Sequence, residues 1–236
     1  MKWLALLTCA VCVYGIDIHE HGVVTPCTPP IDDNATLISF SNGIVFDTRT
    51  GEPVLPAQLM IEAYDGPGYY LVQVDGPVYK EWLEELKAVG LDVVGYIPHY
   101  ALIAYANIDQ INVARTKNFV RWIGVFQPAY KLQADLMNAH GIARVVLQLF
   151  PNESTDAIAR DIRALGYEVV DIVDHELCKT IDAVVDLERI HEVARLTGVQ
   201  WIQLWTEPEI CNNSCQWVTQ TGWRSSVPSD PGARRV

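Results

Sequence analysis

Apolar and polar residues follow two alternating patterns from Tyr69 onward. Short stretches rich in β-branched and aromatic residues, such as YYLVQV and FVRWIGVF, are typical of half-buried strands. Between them, VYKEWLEELKAVG places its apolar residues on one helical face and ends at Gly90, a residue suited to stopping a helix. The succession of patterns predicts a βαββαβ unit over residues 69–132.

The same succession returns after a linker at residues 133–142. Gly90 recurs as Gly166, and the Trp122-Ile123 pair recurs as Trp201-Ile202 at a nearly constant offset. Evenly offset landmarks indicate an internal repeat. We therefore expect an α+β protein with two tandem ferredoxin-like βαββαβ units, residues 69–132 and 143–208, each an antiparallel sheet with its helices on one face. Function is expected on the open face of each sheet.

The N-terminal region has a different character. Lys2 precedes an apolar run from Trp3 to Tyr14 and a small residue at Gly15, a pattern typical of a secretory signal peptide and too short to span a bilayer. We expect residues 1–15 to be removed, leaving a secreted, extracellular protein without membrane attachment. Residues 16–68, rich in Pro, Gly, Asp and Thr, predict an extended leader.

The net charge limits the choice of partners, and the cysteines indicate a candidate disulfide. A formal net charge of −12 argues against nucleic acid, whose partners present clustered Lys and Arg. Export would place the cysteines in an oxidising compartment, where Cys211 and Cys215, which enclose a tight polar turn, are the most plausible disulfide. Metal ligation there is less favoured because no histidine lies nearby in sequence. Whether Cys27 and Cys178 pair stays open.

No catalytic, cofactor or metal motif is recognisable in the sequence. The serines near the C-terminus lack the glycine-flanked elbow of a nucleophile, and carboxylates such as Glu84 and Glu188 fall on helix faces expected to be solvated. The histidines have no partner pattern for a metal or a nucleophile: His19, His21, His99, His140, His175 and His191. We therefore expect no catalytic, cofactor-binding or metal-binding residues in this sequence.

The stretch GYYLVQVDGPVYKEWLEELKAVGLDVVGYIPHYALIAY, with FVRWIGVFQPAYKL, closely resembles the prodomain region of secreted bacterial subtilisin-like serine peptidases, the S8 family. IVFDTRTGEPVLPAQL resembles the lead-in of those precursors, and the resemblance covers roughly residues 46–220. It implies a prodomain whose open sheet face packs against surface helices of the protease catalytic domain, in cis or in trans. The tail at residues 209–236 would then run through the substrate cleft toward a catalytic domain.

The family's catalytic motifs are absent from this chain. Asp47-Thr48 lacks a following Gly, and His140-Gly141 lacks a following Thr. The resemblance therefore implies the prepro part of a longer precursor, acting as intramolecular chaperone and inhibitor, and no triad residue carries over. A free-standing secreted peptidase inhibitor, or another extracellular protein-binding module, would share these features. Regulatory pairs of the ACT type also have tandem βαββαβ units, but the signal peptide disfavours them.

Overall fold

The computed structural model describes residues 35–176 and 178–207. The expected signal peptide, Cys27, the Cys211–Cys215 disulfide and the tail at residues 209–236 lie outside the described residues. The strands and helices given below belong to one compact unit that extends to Trp205. Within the described ranges, no helix is long and apolar enough to cross a membrane.

The segment expected to be an extended leader contains a small hairpin. Strand β1 (Leu37–Ser39) pairs antiparallel with β2 (Val45–Asp47). Ile38 and Phe46 are partners in this pairing, and both are buried in the core. The leader prediction therefore missed folded structure, because apolar runs this short carry no periodicity and gain their burial from tertiary contacts.

The first four-stranded sheet confirms the predicted order of strands and helices. Its elements are β3 (Gly68–Val74), α1 (Lys80–Val89), β4 (Asp92–Ile97), β5 (Ala101–Ala106), α2 (Ile108–Ala114) and β6 (Val120–Val125). The strands lie in the order β4-β5-β3-β6, and neighbouring strands are antiparallel. Helix α1 ends at Gly90, whose φ of 97° is left-handed and favours glycine. Helix α2 begins with a capping box between Asn107 and Gln110.

The second four-stranded sheet follows the same order. Its elements are β7 (Ile142–Leu149), α3 (Thr155–Ala164), β8 (Glu168–His175), β9 (Cys178–Asp186), α4 (Ile190–Ala194) and β10 (Val199–Leu204). The strands lie in the order β10-β7-β9-β8, again antiparallel. The segment predicted as a linker contains a 3₁₀ helix, Ala134–Asn138, that buries Leu136, so it packs against the core instead of acting as a free spacer.

Irregularities also recur at matching places in the two sheets. The register of β6 against β3 shifts immediately before Trp122, and that of β10 against β7 shifts immediately before Trp201. Trp122 faces Gln73, and Trp201 faces Gln148. The second strands β4 and β8 also have one shift each, after Val93 and after Val169. The prediction of an α+β protein with antiparallel sheets is confirmed.

Each sheet has an inner face toward its helices and an outer face on the opposite side. Inner-face residues of β3, including Val72, share an apolar cluster with Leu86 of α1 and Ile111 of α2. Inner-face residues of β7, including Leu147, share a second cluster with Ile158 of α3. Leu71, from the outer face of the first sheet, belongs to that second cluster too. The core is therefore continuous from the outer side of the first sheet to the inner side of the second.

Candidate binding surface

Backbone pairing gives each outer-face position of the first sheet a counterpart in the second. Two backbone hydrogen bonds extend the pairing just beyond the last strands. The Phe126 N–H donates to the Tyr69 carbonyl, and the Trp205 N–H donates to the Arg144 carbonyl, both at 3.0 Å. The rows across the first outer face are Asp92, Tyr105, Tyr69, Phe126; Gly95, Ile103, Leu71, Gly124; and Ile97, Ala101, Gln73, Trp122. The matching rows of the second are Glu168, Val184, Arg144, Trp205; Asp171, Asp182, Val146, Gln203; and Val173, Thr180, Gln148, Trp201.

The outer face of the first sheet is covered by the rest of the chain. Phe46 of the hairpin meets Trp122 edge-to-face at 5.6 Å, and Tyr69 stacks on Phe150 at 3.6 Å between ring centroids. Gln73 is fully buried, and its Oε1 accepts from the hydroxyl of Thr48 at 2.6 Å. The expectation of an open functional face is therefore wrong for this sheet, because its apolar residues are buried against the hairpin and against later residues such as Phe150.

The counterpart positions on the second sheet are more open. Trp205 is 37% exposed and Val173 is 44% exposed, and Asp171 is exposed as well. Val146, at the centre of the face, is only 7% exposed, although it belongs to neither of the two apolar clusters. Among the described residues, the outer face of the second sheet is therefore accessible along its two edges, and we call it the open face.

An arginine, Arg144, is held in the row of the open face that contains Glu168, Val184 and Trp205. The Arg144 guanidinium lies 4.4 Å from the centroid of the Trp205 ring and donates a hydrogen bond to Asp182 Oδ2. A cation over an indole face and an ion pair to a carboxylate both restrict the guanidinium. Arg144 Nε is enclosed and has no acceptor within residues 35–176 and 178–207. Clusters of Trp and Arg are typical of the residues that dominate protein–protein binding energies.

Carboxylates surround this arginine on the side of β8 and β9. Asp171 lies directly opposite Asp182 across the two strands, and Glu168 lies opposite Val184 in the next row. No ion pair links Asp171 or Glu168 to a cation in the described part of the chain. Like charges on facing positions of a sheet repel each other. The open face is therefore aromatic along β10 and negatively charged along β8.

A buried lysine lies where the two sheets meet. Lys131 follows β6 in a 3₁₀ helix, is only 1% exposed, and donates to the Leu196 carbonyl at 2.9 Å. Burial lowers the pKa of Lys131 to about 7, and the Glu153 carboxylate offsets part of this effect. The Tyr69 hydroxyl donates to Glu153 Oε1 at 2.7 Å, and burial followed by this hydrogen bond raises the pKa of Tyr69. We interpret this enclosed cluster as a junction between the sheets.

The described histidines and Cys178, which were considered as candidates from the sequence, do not come together in one site. His99 lies in the β4–β5 turn, His175 ends β8, and Cys178 begins β9. His140 lies 3.8 Å from Glu188 at the mouth of a cleft of about 260 Å³ that His191 also lines. Across the described ranges, no group of three His, Cys, Asp or Glu side chains is placed to hold a metal ion. His19 and His21 lie outside the described residues.

Sequence reasoning missed Arg144 and Asp182. Both lie inside the unit predicted over residues 143–208, and no local motif marks either side chain. A signal is present, because the matching rows of the two sheets place Asp182 where the first sheet has Ile103. A charged residue at the middle of a central strand is unusual unless it is paired or faces a polar surface.

Comparison with known proteins adds one match. A family model described as "Domain of unknown function (DUF8729)" matches residues 37–127. The matched region begins at the first residue of β1 and ends two residues after β6, so it contains the hairpin together with the whole first sheet. No match to a curated protein was found.

Proposed function

We propose that this chain is the prodomain portion of a secreted subtilisin-like serine endopeptidase precursor, serving as intramolecular chaperone and inhibitor of the catalytic domain. In this proposal the two sheets with their helices are tandem ferredoxin-like units. The shared strand order and the matching register shifts support the tandem arrangement. The sequence resemblance described above supports the family.

The observation that carries the proposal is the open face of the second sheet. A prodomain needs one accessible sheet face to pack against its protease, and this face combines Trp201 and Trp205 with a restricted Arg144. Buried aromatic and arginine side chains supply most of the binding energy in typical interfaces. The first sheet, whose outer face is occupied by the hairpin, would serve as the scaffold that holds the second.

Binding of this kind accounts for both proposed activities. A ligand that binds the folded protease and not its unfolded chain stabilises the folded form by linkage, which favours refolding. The segment at residues 209–236 would add a second point of attachment, and tethering raises its effective concentration above that of a free peptide. The domain and the segment together should therefore inhibit better than either alone.

A free-standing secreted inhibitor, or another extracellular binding module, is the second candidate. The same open face favours it, because an accessible face of this kind serves equally well for a protease supplied in trans. The two candidates differ in whether a subtilisin-like catalytic domain is encoded in the same precursor. Sequencing the transcript beyond codon 236 separates them.

Purified chain can be tested for both activities. We expect no hydrolysis of casein and no labelling by a fluorophosphonate probe, but inhibition of a subtilisin-like protease and faster recovery of that protease after denaturation in guanidinium chloride. The panel should contain several subtilisin-like proteases, including any encoded in the same precursor. A chymotrypsin-like protease, with the same chemistry on another fold, is the control and should be unaffected. Failure across the whole panel, or labelling of the chain, would contradict the proposal.

A further inference from the structure

We propose that the open face selects a protease surface bearing Lys or Arg side chains, with Trp205 and Arg144 as the anchor and Asp171 as the charge-selecting residue. This inference rests on the proposed function and names the chemistry of its partner. It follows from three observations: the residues that replace the apolar positions of the first sheet, the balance of charge that results, and the geometry around Arg144.

The first observation is a set of replacements at matched positions. Where the first sheet has Gly95, Ile103 and Tyr69, the second has an aspartate, another aspartate and an arginine, namely Asp171, Asp182 and Arg144. In the first sheet, Ile103 and Tyr69 belong to the large apolar cluster that also holds Phe46 of the hairpin, and Tyr69 stacks on Phe150. Arg144 and Asp182 pair with each other, but an apolar cover would bury Asp171 without a cation, which is costly. The partner of the open face must therefore be polar and charged.

The second observation gives the sign of that charge. The twelve outer-face residues of the second sheet include three carboxylates, Glu168, Asp171 and Asp182, and one guanidinium, Arg144. Arg144 is already paired with Asp182, so Asp171 and Glu168 keep uncompensated negative charge. Complementary potentials across an interface give specificity and faster association. A surface with Lys or Arg opposite β8 meets this requirement.

The third observation is the restricted geometry of the anchor. The Trp205 ring and the Asp182 carboxylate hold Arg144 from two sides, and the Arg144 side chain is still 34% exposed. A long side chain that is already fixed loses little conformational entropy on binding. The anchor therefore supplies a preorganised aromatic and cationic contact next to the acidic strand.

The experiment measures binding of the full chain to a basic subtilisin-like protease whose catalytic serine is blocked with phenylmethylsulfonyl fluoride. A second sample of the same protease has its lysines succinylated, which converts cations to anions. Biolayer interferometry at 50 mM and 300 mM NaCl should show weaker binding at the higher salt, and succinylation should weaken binding at least tenfold. Tighter or equal binding after succinylation would overturn the inference.

Three variants locate the effect on the open face. We expect Trp205→Ala to weaken binding by about thirtyfold, as for a hot-spot residue. Asp171→Asn should weaken it by about fivefold, whereas Glu81→Gln, which removes the same charge from the exposed side of α1, should leave it unchanged. Thermal unfolding of each variant verifies that the fold is retained.

The outcomes separate this inference from the proposed function. If the chain inhibits the protease but Asp171→Asn and Glu81→Gln bind alike, charge selection by the open face is wrong and the prodomain proposal stands. If the unmodified chain binds no subtilisin-like protease in the panel, the proposed function fails and the inference fails with it.

Discussion

The outer faces of the two sheets have the same backbone pairing but differ in polarity and in the exposure of their edges. On the first sheet, Leu71 and Ile103 lie in the middle row and are covered by the rest of the chain. On the second, Val146 and Asp182 occupy the same places, and the edge of the face stays exposed. The strand order is identical, so the difference lies in the side chains and in the segment that precedes each unit.

This difference shows how two sheets with the same strand order can have different surroundings. An apolar outer face lowers its free energy by recruiting a cover from the same chain, which fixes the unit as part of the core. A face with Arg144 and Asp171 cannot be covered by apolar side chains at acceptable cost. A few differences on one side of a sheet are enough to decide whether an apolar cover from the same chain is favourable.

The strongest test of this comparison exchanges residues between matched positions. Ile103→Asp would place a carboxylate in the covered apolar cluster without a cation, and we expect it to cost more than about 4 kcal/mol, enough to unfold the chain. The reciprocal Asp182→Ile on the open face should cost about 1 kcal/mol, the loss of its pairing with Arg144. Urea unfolding followed by circular dichroism measures both. Similar losses for the two variants would mean that the faces are equally buried.

Truncation of aromatic residues gives the next largest effect. Phe46→Ala removes a buried ring that packs on Trp122 and should lower the free energy of unfolding by about 3 kcal/mol. Trp205→Ala is the matched control on the open face, where loss of the contact with Arg144 should cost about 1 kcal/mol or less. A larger loss for Trp205→Ala than for Phe46→Ala would show that the second face belongs to the core.

The junction beside the covered face predicts a pH dependence. Because burial lowers the pKa of Lys131 to about 7 from its usual 10.5, folding is opposed by protonation of this group. The cost is complete below pH 7 and decreases as the pH rises toward 10.5, so native stability should increase by about 2 kcal/mol between pH 7 and 9. Lys131→Met should remove this increase.

Lys80→Met is the control for that measurement, because Lys80 lies on the surface of α1. It should keep the same rise in stability between pH 7 and 9 as the unaltered chain. Urea midpoints at each pH give the answer. A rise that persists unchanged in Lys131→Met would show that Lys131 does not titrate in this range.

Sequence patterns predicted much of this fold and little of the binding surface. The strands and helices from Gly68 onward have clear periodicity, and the glycine stop at Gly90 identified the end of α1. The hairpin was missed because strands of three residues have no measurable period. The covered face was missed for a different reason. Strand β3 is buried on both sides, and its composition alone does not say which part of the chain covers it.

The open face was predicted only as a sheet face, without its residues. Arg144 and Trp205 lie far apart in sequence and meet through the pairing of β7 with β10, which no local pattern reports. A position-by-position comparison of the two sheets does mark these residues. Asp182 stands in place of Ile103 and Arg144 in place of Tyr69, so the informative signal is a charged residue where the first sheet has an apolar or aromatic one.

The smallest expected change in stability tests the comparison most selectively. Asp171 faces Asp182 across β8 and β9, and like charges on facing positions destabilise a sheet, so Asp171→Asn should raise the free energy of unfolding by about 0.5 kcal/mol. The asparagine oxygen can still accept the hydrogen bond that Asp171 Oδ1 receives from the Ile172 N–H. Protease binding should weaken at the same time, because the residue that opposes folding is the one proposed to attract a cation. Urea unfolding and interferometry on the same preparation, with Glu81→Gln beside it, measure the two effects. A variant that loses both stability and affinity would indicate that Asp171 supports the sheet, and one that gains stability with affinity intact would place the docking contact elsewhere on the molecule.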